Sequence, residues 1–188
     1  MPADDALVPG AMPPSPDAAD ATGATASADA GGTLPAAHRE RACIFAMGGC
    51  TFAADVRETR EVMILDAIGA VPGAPAPLLG VTNLRGTVLA VADAGALLGL
   101  TPKPSPSGGS AIVLNAGGLR AAVPIDAVLG LEWFDTPLPA DHVPEGALKT
   151  FAAGIVPRPD QPAILLDAAR LLEALRAPWA PAAPEAQG

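Results

Sequence analysis

Apolar residues recur along this chain in short runs, each broken by glycine or proline. Runs at 42–47, 50–56, 62–65, 78–84 and 87–93 read as strands, as do those at 110–116, 119–125, 128–134, 151–156 and 163–166. Gly48-Gly49 is a hairpin turn signal, because both central residues of the favoured two-residue turn need positive φ. That turn sets Met47 opposite Cys50 and Cys43 opposite Ala54, too far apart for the two sulfurs to bond. Phe52 and Val56 then share a face. Residues 57–61 read as a charged turn, 69–77 and 137–145 as loops, and Pro124 marks an edge or a bulge. Two segments read as helices: 94–100, stopped by Gly99, and 168–175, with Asp167 as N-cap. Leu171, Leu172 and Leu175 fall at helical spacing and would pack the second helix on a sheet.

The stretch TPKPSPSGGS at 101–110 is a linker by composition and separates halves of similar character. No repeat is evident residue by residue. Many short strands with Gly/Pro turns and one clear C-terminal helix predict an all-β fold, with two small barrels packed side by side. Residues 1–38 are rich in Ala, Pro, Asp, Ser and Gly and read as a disordered acidic arm; 39–176 form the folded part; 177–188 read as a flexible tail.

Composition narrows the function. Of 188 residues only 3% are aromatic and none is tyrosine, so the core must be built from Val, Ile and Leu. A net charge of −9 without any Lys/Arg cluster argues against nucleic acid and against an anionic membrane surface. No apolar run approaches the roughly 18 residues of a membrane span, and the acidic N-terminus is unlike a secretory signal, which predicts a cytoplasmic protein without membrane insertion.

Reactive groups do not converge. His38 lies beside the arm, His142 stands alone in a proline-flanked loop, and the serines fall in the arm or the linker. Phosphate-binding and dinucleotide glycine patterns are missing, and Cys43 and Cys50 read as small buried thiols without further metal ligands. The expectation is a protein with no catalytic residue, cofactor or metal.

What stands out is GVTNLRGTVLAVAD, residues 80–93. Arg85 ends one apolar strand, Gly86 turns the backbone with the positive φ that glycine tolerates, and a second apolar strand leaves. A guanidinium between two such runs needs a carboxylate, several carbonyls, or a partner's surface. Glu61 at the start of the third strand is the best carboxylate, since a small barrel brings such strands together. A plain structural ion pair and a solvated arginine both remain open. Arginine amid Val62, Leu79, Val81 and Leu84 would also suit a binding hot spot for a partner helix.

The stretch resembles the signature of the CheW family, the coupling proteins of bacterial chemosensory arrays, over roughly residues 41–176. Further resemblance lies in Phe45-Ala46-Met47-Gly48 at the opening strand, in Thr59-Arg60-Glu61-Val62, in Ser110 to Asn115, and in Ile125-Asp126-Ala127-Val128. The resemblance implies two five-stranded SH3-like barrels and no enzyme activity. It implies two partners, the signalling tip of a methyl-accepting chemoreceptor and the regulatory domain of the histidine kinase CheA. By the same resemblance, Glu61, Val62, Asn83, Leu84, Arg85 and Gly86 form the receptor or partner surface, and Gly48 and Gly86 are structural turns. Without a receiver or kinase segment the stretch reads as neither a whole CheV nor a CheA. The competing readings are a small β-barrel ligand-binding or enzymatic domain using the cleft between lobes, and a CheW-like competitor that binds only one partner.

Overall fold

Three tight hairpins organise the chain. The computed structural model describes residues 39–101 and 108–179; the arm 1–38, the linker centre 102–107 and residues 180–188 lie outside it, and with them the readings made of those segments. Strand β1 (Glu40–Met47) turns at Gly48-Gly49 into β2 (Cys50–Asp55), with Met47 opposite Cys50 and Cys43 opposite Ala54. Strand β3 (Thr59–Ile64) follows, then β4 (Leu78–Leu84) and β5 (Thr87–Ala92), joined through Arg85-Gly86. A one-turn helix α1 (Ala94–Leu97) closes the first half. The second half repeats that order: β6 (Ser110–Ala116) turns at Gly117-Gly118 into β7 (Leu119–Ile125), and β8 (Ala127–Phe134) follows. After a short helix α2 (Ala147–Thr150) come β9 (Ala152–Val156), β10 (Ala163–Leu166) and α3 (Ala168–Arg176).

The repeat is exchanged between sheets. One sheet has the order β8-β1-β2-β10-β9 and the other β3-β6-β7-β5-β4. Each sheet therefore joins the first hairpin of one half to the last three strands of the other: β3 pairs with β6 and β5 with β7, while β8 pairs with β1 and β10 with β2. Both sheets are mixed, since β2–β10 and β5–β7 run parallel. Aspartates mark the same place in each half: Asp93 Oδ1 accepts the Gly95 N–H at 2.8 Å, and Asp167 Oδ1 accepts the Arg170 N–H at 2.9 Å. Each caps a helix N-terminus, where backbone donors lack partners.

Both faces of the central strands are buried, which explains their near-continuous apolar runs. Alternate residues of β1 face different cores. Cys43, Phe45 and Met47 join Phe52, Ile112, Leu114 and Val123 between the sheets, and α3 adds Leu171, Leu172 and Leu175. Ala42 and Ile44 look the other way, into a smaller core with Phe134, Val156 and Leu165. The second sheet has its counterpart around Leu65, Leu89, Val91 and Val113. Phe45 and Phe52 are cross-strand partners whose rings stack at 5.7 Å in the core between the sheets. Such a pair contributes about 0.5–1.5 kcal/mol beyond its burial.

The expected SH3-like barrels are not formed. Each sheet is open: β3 and β4, the edges of one, share no ladder, nor do β8 and β9, the edges of the other. One isolated bridge spans each gap, Gly69–Val81 and Leu138–Ile155. The chain leaving each edge strand is proline-rich, with Pro72, Pro75 and Pro77 after β3 and Pro137 and Pro139 after β8. Proline lacks the N–H that a continuing ladder requires. The fold is two open five-stranded mixed sheets packed face to face, with helices at their margin. Residues 59–61, expected as turn, begin β3, with a register shift between Thr59 and Glu61. The loop expected at 137–145 contains a 3₁₀ turn at Ala140–His142.

Candidate functional site

The β4–β5 hairpin has an unusual tip. At Gly48-Gly49 the φ values are 59° and 83°, and at Gly117-Gly118 they are 58° and 76°. Arg85-Gly86 adopts the same left-handed pair, 52° and 84°, and Arg85 is the non-glycine residue with positive φ among the described residues. A Cβ in that region costs about 1–2 kcal/mol. Glycine holds that place in the other two hairpins, so the arginine is kept here against a local backbone preference.

Its side chain crosses the gap between the sheet edges. Arg85 Nη2 lies 2.8 Å from Glu61 Oε2, although β3 and β4 are opposite edges of the sheet. The Arg85 side chain is 81% exposed and that of Glu61 only 24%. The carboxylate is thus recessed, while most of the guanidinium faces outward. Asn83 Oδ1 accepts the Gly86 N–H at 2.8 Å. Leu84 packs against the small core beneath, Val62 stands outward on β3, and Val88, paired with Asn83, is 73% exposed. Glu61, Val62, Asn83, Leu84, Arg85 and Gly86 therefore share one end of one sheet. Gly48 lies elsewhere, in the β1–β2 turn; its N–H donates to Asp126 Oδ2 at 2.9 Å, and a Cβ there would meet Leu100 Cβ at 2.9 Å.

The strands that carry this tip also line a groove. A cavity of about 360 Å³ lies between β4, β5, β7 and α3, with Val81, Ala90, Leu119, Leu172 and Leu175 in its wall and Arg120 and Arg176 at its rim. Sequence reading missed this groove, because its walls come from segments far apart in the chain.

It also missed a second arginine–glutamate pair. Arg158, in the β9–β10 turn, donates from Nε to both carboxylate oxygens of Glu132 on β8 at 2.9 Å, and from Nη1 to the Gln161 carbonyl at 3.2 Å. Its side chain is only 11% exposed, and the Glu132 hydrogen bond raises its pKa. The usable signal was spacing: in each half a hairpin arginine precedes the helix-capping aspartate by a similar interval, Arg85 to Asp93 and Arg158 to Asp167.

Other charged groups lie around the β2–β3 turn. Arg57 grips Asp55 and reaches Glu40 at 3.0 Å, and its hydrogen bond holds the Asp55 carboxyl below the usual range. Burial pushes neighbouring Glu58 the other way. His142 is exposed, with Nδ1 3.3 Å from the Pro139 carbonyl. Burial raises the Cys43 thiol. Among the described residues no group of three or more His, Cys, Asp or Glu is placed to hold a metal, and no helix is long and apolar enough to cross a membrane.

The chain matches the CheW-like domain over residues 41–176, most of its length. It belongs to the CheW-like family. It is 30% identical over 120 residues to "Protein PilI" of Pseudomonas aeruginosa, covering 63% of this chain and 67% of that protein. It is 29% identical over 114 residues to a "Probable chemotaxis protein CheW" of Rhizobium etli, covering 60% and 74%. Its fold is like that of the scaffolding protein TtCheW from Thermoanaerobacter tengcongensis, with a TM-score of 0.61 at 22% identity, covering 71% of this chain and 92% of that one. As a CheW-like protein it is a non-enzymatic scaffold that couples chemoreceptors to the kinase CheA. The residues that resemble the family signature thus include the left-handed turn, the exposed guanidinium and the α1 cap.

Proposed function

We propose that the end of the sheet bearing Glu61, Val62, Asn83, Leu84, Arg85 and Gly86 receives the helical-hairpin signalling tip of a methyl-accepting chemoreceptor. The apolar surface of the other sheet meets the regulatory domain of CheA. Residues 39–176 carry both contacts, and the protein works in the cytoplasm, recruited to membrane-associated receptor arrays. The observation that carries the reading is Arg85: its backbone is strained and its side chain is mostly exposed. A purely structural ion pair would have no need of either property. The groove adds support. Val81 and Ala90 in its wall are cross-strand partners on the two strands that lead to the Arg85 turn, so an apolar helix ridge lying there would bring its end to the guanidinium.

Holding both partners at once turns the second association into a local one, with an effective concentration set by the scaffold's geometry. The behaviour controlled is swimming, twitching or gliding, according to the receptor that is bound. Co-elution of the full chain with a CheA regulatory domain and a receptor-tip fragment from the same genome tests the reading. A ternary peak is expected. Binding to one partner alone would make the protein a competitor, and binding to neither would overturn the proposal.

A further inference from the structure

We infer that Asn83 is a positioning residue, which sets the aim of Arg85 by locking the left-handed turn beneath it. The inference rests on the reading of Arg85 as the partner-facing group, but its first test is independent of any partner.

Two-residue hairpins favour positive φ at both central positions because that twist matches the flanking strands. The first position carries Gly48 in one hairpin and Gly117 in another, and there the twist is met without a steric penalty. At Arg85 the Cβ works against it. A relaxed turn with negative φ would swing the side chain and splay the strand ends. The ladder resists this through the pairs Leu84–Thr87 and Asn83–Val88 but leaves the Gly86 N–H over. In the left-handed turn the Asn83 carboxamide takes that amide at 2.8 Å. The aim matters because β3 and β4 share no ladder. Whether the guanidinium finds Glu61 across the gap depends on how the hairpin tip is held. Asn83 thus acts through Arg85 rather than on a partner. Asparagine suits the task through its acceptor oxygen, and aspartate offers the same acceptor.

The test compares Asn83→Ala with Asn83→Asp in the full chain. By NMR without partner, Asn83→Ala is expected to speed exchange of the Gly86 amide about tenfold, the scale of one lost hydrogen bond. It is also expected to abolish the shift that Glu61→Gln causes at the Arg85 Nε–H. Asn83→Asp keeps both signals. Wild-type exchange and an intact shift in Asn83→Ala would overturn the inference. With a receptor-tip hairpin fragment as probe, Asn83→Ala weakens affinity about five- to tenfold. It weakens it no further once Arg85→Ala is present. Independent losses in the double variant would make Asn83 a contact residue and overturn the positioning role. If Arg85→Ala alone leaves affinity unchanged, the partner-surface reading fails, and the NMR comparison still decides whether Asn83 locks the turn.

Discussion

Two arginine–glutamate pairs occupy corresponding places in the two halves of this molecule, and they differ in burial and in backbone strain. Each links the turn of the last hairpin in its half to the third strand of the same half, across the gap between the two edges of one sheet. Arg158 is enclosed, meets both oxygens of Glu132 and adds a carbonyl partner. It stitches an open sheet edge. Arg85 makes the analogous reach to Glu61 from a strained backbone, with 81% of its side chain in solvent. On the proposed reading, the same topological device serves stability in one half and display in the other. The comparison also bears on whether Arg85 is merely structural, since the molecule shows what a structural version looks like.

The difference between the two pairs is tested most directly at Arg85. Arg85→Ala is expected to weaken binding of a receptor-tip fragment by about 2 kcal/mol, some thirtyfold, as hot-spot arginines do. The denaturation midpoint should barely move, because exposed ion pairs contribute only about 0–1 kcal/mol. Titration calorimetry beside a urea melt reads both; a collapsed melt would mean that the pair is structural after all.

Arg158→Ala should do the reverse. It leaves Glu132 half-buried without its bidentate partner and is expected to cost about 1–2 kcal/mol of stability in the same urea melt. The affinity for the receptor-tip fragment should stay as it was. A loss of affinity at unchanged stability would erase the distinction between the two halves.

Arg85→Gly sharpens the contrast further. Glycine relieves a left-handed strain of about 1 kcal/mol, which outweighs the few tenths contributed by an exposed pair. The variant is expected to be more stable than the parent by up to about 0.5 kcal/mol and yet deficient in partner binding. A destabilised Arg85→Gly would show that the turn is not strained. The smallest effect lies at the β2–β3 turn, close to the Arg85 pair in sequence but outside it. The Asp55 carboxyl is depressed by Arg57, so its folded pKa lies below its unfolded one. Its contribution is complete above the usual aspartate range and is lost as pH falls through the folded value. Glu58, raised by burial, runs oppositely and favours the folded chain on the acid side. Asp55→Asn should therefore flatten the acid limb of a stability–pH curve while leaving receptor binding at neutral pH unchanged.

Local signals made much of this protein legible. Short apolar runs between Gly and Pro located the strands, Gly48-Gly49 fixed the register of β1 against β2, and Asp167 marked the start of α3. The Glu61–Arg85 contact was legible as a demand, since a guanidinium between two core strands needs a carboxylate. These features depend on neighbours in sequence, where period and turn chemistry act directly. The pairing of each half's first hairpin with the other half's last three strands, the two unclosed sheet edges and the groove beside α3 were decided by tertiary structure. Strand pairing over long separations leaves no local period to read, and prolines that stop a ladder look in sequence like those of any loop. The sequence alone also placed Arg85 and Gly86 in a turn. That the arginine stands left-handed and outward, while Arg158 lies folded in, follows from where each hairpin tip meets the opposite edge of its sheet.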